Sequence, residues 1–298
     1  MSDEKNVEIT EGKKELLIRL TKEEGEFFIL MSACTRAPYV ECDPETFDDE
    51  VMIYFDEQSA KAKTEELAQK KIPTTVLKLA SKQMLLFFTT LYTMGVNALH
   101  LSFNGEETTM QIQEIVKKRD QKEAPDGSVW VENPQLHLTA VYFAQELRRP
   151  AEEEDTKERL KELQEEMLAD FRKSSLIFAI QKDTNATPMI KLKDGEKYQP
   201  VFTDVLEFRK FCQDDSFRPV IVKAEQLPKV LDKDAKGVIL NMLGVNLPLQ
   251  ITRPIPVMNA VPANDPAVLA KAAADAAATA IREANAEKSE KKDDEEEK

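Results

Sequence analysis

The segment YQPVFTD (Tyr198–Asp204), with the RPVIVK (Arg218–Lys223) and GVILNMLGVNLPLQI (Gly237–Ile251) that follow it, decides the fold, because an earlier stretch is built to the same plan. That stretch reads VMIYFD (Val51–Asp56), a helical pattern, PTTVLKL (Pro73–Leu79), then TLYTMGVNALHL (Thr90–Leu101). Three landmarks line up: Asp56 with Asp204, Pro73 with Pro219, and Gly95-Val96-Asn97 with Gly244-Val245-Asn246, at offsets of 148, 146 and 149 residues. So small a drift is what loop insertions and deletions leave while the elements persist, and it implies an internal duplication.

Working outward, each copy has the same lead-in. Leu16, Leu17 and Leu20 form a short amphipathic pattern ending near Gly25, before the apolar run EFFILMSA (Glu26–Ala33). Likewise Leu160, Leu163, Met167, Leu168 and Phe171 recur at helical spacing before SLIFAIQK (Ser175–Lys182). In the first copy APYVECD is the expected hairpin partner of the first strand, Glu57–Lys71 has strong helix formers throughout, and SKQMLLFF reads as helix. TLYTMGVNALHLSF reads as two strands joined at Gly95, and TTMQIQEI as a further strand. In the second copy TPMIKLK and Val205–Cys212 supply the corresponding strand and helix. Between the copies, KKRDQKEAPDGS reads as linker, and Asn133-Pro134 as N-cap and first-turn proline of LHLTAVYFAQELRR. The expected fold is α+β: two tandem domains, each a mixed sheet covered by helices, at 1–118 and 150–262, with a helical linker at 119–149. Residues 263–298 read as an Ala-rich helix and a disordered charged tail.

Composition sets the class. The chain has 298 residues, 42% hydrophobic and 32% charged, with a net charge of −14. That balance describes a soluble globular protein and disfavours nucleic acid and anionic membrane surfaces, both of which need clustered Lys and Arg. No signal-peptide pattern opens the chain, and three cysteines, Cys34, Cys42 and Cys212, make no disulfide framework, so cytoplasm is the expected location. The eight glycines stand singly, which leaves no Gly-rich phosphate loop, and no cofactor is expected.

The run DGEKYQPVFTDVLEFRKF, with RPVIVKAEQLP and GVILNMLGVNLPLQI, resembles the N-terminal domain of the SseB family, the enhanced serine sensitivity proteins. The resemblance rests on Pro200, Phe202, Thr203, Gly237, Val238, Asn241, Gly244 and Asn246 and covers Glu158–Thr252. It implies the fold of the second copy, carries no established reaction, and extends to the first copy only through its strand pattern, Asp56 and Gly95-Val96-Asn97.

Asp204 and Asp56 each sit at a strand-to-helix boundary, and Glu207 completes a capping-box spacing with Asp204. Gly95 and Gly244 suit turns with positive φ, each followed by an asparagine that bonds locally. Cys34, Cys42, His100 and His137 match no zinc or redox spacing, and packing is the expected role of both histidines. Phe87, Phe88, Phe208, Phe211 and Phe217 are core candidates, while Trp130 either staples the linker to one domain or marks a partner surface. The expected ligand or partner surface is Asp56, Asn97, Trp130, Thr203, Asp204 and Asn246, with no catalytic, cofactor or metal residue assigned. Two functions follow: a cytoplasmic, non-enzymatic binding or regulatory protein with a protein or peptide partner, or an enzyme working on an amino-acid-related small molecule in an inter-domain cleft. A structural or solubilising role would rest on the tail alone.

Overall fold

The structure, a computed structural model, describes residues 20, 25–103, 105–116, 130–150 and 153–253. The expected helix at 11–24, apart from Leu20, residues 117–129 at the start of the linker, and the tail beyond 253 lie outside them. The first sheet contains β1 (Glu26–Ser32), β2 (Val40–Cys42), β3 (Asp49–Tyr54), β4 (Thr74–Ala80), β5 (Ala98–Phe103) and β6 (Glu106–Gln111). Helix α1 (Glu57–Gln69) joins β3 to β4, and α2 (Ser81–Met94) joins β4 to β5. Two further helices follow, α3 (Pro134–Arg148) and α4 (Glu153–Lys173). The second sheet has β7 (Ser175–Gln181), β8 (Ile190–Lys191), β9 (Lys197–Phe202), β10 (Phe217–Lys223), β11 (Gly237–Leu240) and β12 (Leu247–Gln250). Helix α5 (Val205–Phe211) follows β9, and a short α6 (Leu227–Val230) follows β10. The architecture is α+β with two sheets and helices.

The sheets share one strand plan. The first runs β4-β1-β3-β5-β6 with β2 on β3, and the second β10-β7-β9-β11-β12 with β8 on β9. In each, the third strand of the order pairs in parallel with the fourth, and the remaining pairings are antiparallel. The segment expected to pair with β1 does so at Pro38, bridged antiparallel to Met31 with Tyr39 N–H donating to Leu30 O at 2.8 Å, while its continuation β2 lies against β3, Val40 opposite Val51. Since β1 pairs only with the C-terminal end of β3 (Phe28 with Tyr54), the N-terminal half of that edge is open, and β2 fills it.

Alternation along the strands sorts residues into three layers of contact. Phe27, Ile29, Val51 and Ile53 of the first sheet join Leu176, Phe178, Val201 and Val238 of the second in one apolar cluster, with Met84, Phe88, Leu136, Ala140, Met167 and Phe171 from α2, α3 and α4. The opposite face of the first sheet (Phe28, Leu30, Met52, Tyr54) packs on Ala60 and Leu67 of α1. The opposite face of the second (Ile177, Ala179, Phe202) packs on Phe208 of α5. Central strands covered on both faces by helices bury successive side chains on both faces, Phe27–Leu30 and Leu176–Ala179 here, which is why EFFILMSA and SLIFAIQK read as apolar runs. One apolar cluster includes both sheets, and α3, read as a linker, is buried within it at Leu136, Ala140, Val141 and Ala144.

Two local readings are corrected. Thr90–Met94 is the last turn of α2, not a strand: Met84, Phe88 and Leu91 continue the helical period onto buried positions, and Gly95 ends it with φ of 93°. TTMQIQEI is strand only to Gln111, after which Ile112–Glu114 forms a 3-10 turn.

The landmarks fare unequally. Asp56 and Asp204 hold the same topological place, capping the helix after the third strand of each sheet's order. Pro73 precedes β4, whereas Pro219 is the third residue of β10. Gly95-Val96-Asn97 enters β5, but Gly244-Val245-Asn246 lies one strand later, between β11 and β12. The two corners are therefore not counterparts. Gly95 has the expected positive φ; at the second corner Asn241 and Asn246 take it, with φ of 45° and 51°. Gly244 is needed for a different reason, because a Cβ there would stand 2.8 Å from Glu207 Oε2.

Candidate functional site

Of the six residues expected to form one surface, the structure joins only Thr203 and Asp204, and it buries both. Strand β9 ends at Phe202, so Thr203 and Asp204 form the step into α5. Asp204 Oδ1 accepts the N–H groups of Leu206 (2.8 Å) and Glu207 (3.0 Å), satisfying donors that the first helical turn leaves open. Its Oδ2 accepts the Thr203 hydroxyl at 2.8 Å and lies 3.3 Å from His137 Nδ1. Asn241 closes the group, its Nδ2 donating to Thr203 Oγ1 at 2.8 Å and its Oδ1 accepting the Thr203 N–H at 3.0 Å.

Proton counting assigns the histidine tautomer. Thr203 has one hydroxyl proton, which Asp204 accepts, so its oxygen can only accept from Asn241 and from His137 Nδ1 at 3.2 Å; Nδ1 therefore carries a proton. Burial pushes the Asp204 carboxyl up, but the hydrogen bond and charge of His137, with the Glu207 N–H and Thr203 hydroxyl, outweigh it and hold the group below the ordinary aspartate value of 3.8. Histidine packing was expected; His137 is buried, but as a hydrogen-bonded tie between α3 and the β9–α5 step.

Glu207 does not complete the capping box. Its Oε1 takes Lys210 Nζ, and its buried Oε2, beside Gly244, has no hydrogen-bond partner among the described residues. Asn133, expected as an N-cap, makes no cap bond; its Nδ2 donates to Ser175 O (2.8 Å) and Thr203 O (2.6 Å), tying the start of α3 to the second sheet. The cluster can orient and rigidify, but no substrate can reach His137, 1% exposed, or Thr203, 0% exposed.

The other predicted residues lie apart. Asp56 is an exposed cap that accepts Ser59 N–H at 2.7 Å. Substituting it by alanine is expected to cost about 1 kcal/mol, read by urea unfolding. Asn97 was expected to bond locally; instead it spans to the start of β3, accepting Asp49 N–H (2.7 Å) and donating to Asp48 Oδ1 (2.9 Å). Asn246 is exposed, with its carbonyl held by Arg148 Nη2 at 2.7 Å. Trp130 is 51% exposed, and the neighbouring Val131, not the indole, enters the core beside Phe202 and Phe208. His100 is partly buried on β5, 3.5 Å from both Glu50 and Glu107.

Sequence reasoning passed over the Arg-Arg pair at the end of α3. Arg148 donates to the carbonyls of Cys34 (3.0 Å), Val245 (2.8 Å) and Asn246 (2.7 Å), clamping the β1–β2 loop onto the β11–β12 turn. Arg149 faces a cleft of about 350 Å³ between β2, α3 and α4, also lined by Tyr39, Cys34, Cys42, Tyr142, Glu146 and Arg159. Glu146 Oε1 receives Arg149 Nε (2.9 Å) and Nη2 (2.6 Å). The available signal was LRR following a helical apolar stripe, and it does not say which loop the arginines meet. Among the described residues no group of three or more His, Cys, Asp or Glu is placed to hold a metal, and no helix is long and apolar enough to cross a membrane.

Comparison with known proteins identifies the second sheet and its lead-in: residues 149–253 match the family model described as the SseB protein N-terminal domain. No curated protein matches the chain. Among solved structures, Tic22 from Plasmodium falciparum is similar at 12% identity, over 75% of this chain and 90% of that one, with a TM-score of 0.21. Anabaena Tic22 (protein transport) is similar at 11% identity, over 75% and 92%, also with a TM-score of 0.21. At that score neither likeness carries an argument.

Proposed function

We propose that this chain, whose residues 149–253 carry an SseB N-terminal domain, is a cytoplasmic, non-enzymatic binding or regulatory protein with a protein or peptide partner. The observation that carries the reading is the sealing of the buried histidine-carboxylate cluster: His137, Thr203 and Asp204 are consumed by internal hydrogen bonds. The competing reading, an enzyme for amino-acid-related molecules, needs Asp204 and Thr203 accessible and is not supported by their burial. The matching strand orders support a duplicated module, with the copies at 1–118 and 150–262.

The partner surface includes the exposed apolar residues of the β4–α2 unit. Leu85 and Leu86 are 64% and 65% exposed on α2, beside the edge strand β4 with its exposed Leu77. Adjacent exposed leucines at a sheet edge suit an apolar peptide segment. Affinity capture from cell extract is expected to enrich a defined protein, and Leu85→Asp/Leu86→Asp to lose it, with stability changed by no more than about 0.5 kcal/mol per substitution. Asp56, Asn97, Trp130 and Asn246 remain candidates for the same test. Capture of nothing by the wild-type chain, or of the same protein by the double variant, overturns the assignment of this surface.

A further inference from the structure

The cleft between β2, α3 and α4 has features that neither the fold nor the proposed partner surface requires. At about 350 Å³ it lies in the range of small-ligand sites. Tyr39 lines it; the residue is 6% exposed, but its hydroxyl is open to solvent at the cleft rather than sealed in the core. Burial, with Glu41 adding, pushes this phenol above the ordinary tyrosine range, while the charges of Arg159 and Arg149 both act on it in the opposite sense. The hydroxyl therefore remains a donor, with two guanidinium groups in its neighbourhood.

Those guanidinium groups are incompletely used. Arg149 gives two of its N–H-bearing nitrogens to Glu146 Oε1, and Arg159 Nε stands 3.9 Å from Glu146 Oε2, beyond hydrogen-bond range. Ten N–H donors thus share the lining with two carboxylates, Glu41 and Glu146, and still outnumber their oxygens. Ile72 and Pro73 supply an apolar wall.

We propose that the cleft binds a monocarboxylate, either a small organic acid or the free C-terminus of a peptide. The carboxylate bonds to Arg159 and the Tyr39 hydroxyl, and the short apolar body lies against Ile72. A planar carboxylate suits guanidinium N–H groups that act in pairs. The charges of Glu41 and Glu146 offset those of the two arginines across the lining, which favours a monoanion over a phosphate dianion. This site is separate from the partner surface on α2 and does not depend on it.

The test titrates the full chain by NMR with butyrate, a tetrapeptide with a free C-terminus, the same peptide amidated, and inorganic phosphate. Saturable shifts at the Tyr39, Ile72 and Arg149 amides are expected with butyrate or the free-acid peptide, and none with the amide. Arg159→Gln is expected to weaken binding about tenfold, the loss of one charge-assisted hydrogen bond, and Tyr39→Phe severalfold, with both variants keeping the wild-type spectrum elsewhere. Response to butyrate identifies a free acid as the source, and response to the peptide acid alone a chain terminus. Response to phosphate alone, equal binding of the amide, no saturable response, or affinity unchanged in both variants overturns the proposal.

Discussion

Asp204→Ala is expected to cost on the order of 3–5 kcal/mol of folding stability, against about 1 kcal/mol for Asp56→Ala at the corresponding place in the first sheet. Both remove a helix cap. Only Asp204 is buried, and removing it leaves the Thr203 hydroxyl and His137 Nδ1 without their carboxylate in a region closed to water. The cap accounts for about a quarter of the loss; an uncompensated buried polar group accounts for the rest. Urea unfolding of the two variants, followed by circular dichroism, measures the difference. Equal losses would show that the network adds nothing beyond the cap.

The same group sets a pH dependence. Because the folded Asp204 carboxyl is held below 3.8, its contribution is complete above the unfolded value and is lost as the pH falls through the lower, folded one. The wild-type chain is therefore expected to lose stability more steeply than Asp204→Asn as the pH falls below 3.8. Parallel acid limbs would show that Asp204 titrates alike in both states.

Gly95→Ala is the second large effect, expected on the order of 3 kcal/mol, while Gly105→Ala costs about 1 kcal/mol. Each glycine has positive φ, 93° and 81°, so an alanine pays the left-handed penalty at both. At Gly95 the added Cβ would also stand 2.5 Å from the backbone oxygen of Pro134 and 3.1 Å from Leu138 Cβ; at Gly105 it meets nothing within 4 Å. A carbonyl at the start of a buried helix cannot swing aside as a side chain does, so α2 and α3 must separate. Thermal unfolding of both variants tests this, and equal shifts would mean that φ alone matters at Gly95.

Much of the strand plan was legible because it depends on local sequence. Apolar runs of strand length, Pro73, and the Asp-capped helices after VMIYFD and YQPVFTD are short-range signals, and the two sheets follow them. The repeated Gly-Val-Asn wording misled because three residues can serve two turns: in one, Gly95 caps a helix against Pro134, and in the other Gly244 makes room for Glu207. The end of α2 reads as strand because Thr90, Tyr92 and Thr93 have strand propensity, while burial at Leu91 and Met94 follows the helical period.

Sequence by itself determined most of the strands, the two aspartates that cap helices, and that the C-terminal half resembles a known domain, since propensity, period and capping act over a few residues. Only the tertiary structure decided that both sheets share one apolar cluster, that His137 meets Asp204 across 66 intervening positions of chain, and that Tyr39 lines one cleft with two arginines from later in the chain. Those contacts depend on which faces pack together, and burial that joins distant segments has no signature in either segment alone.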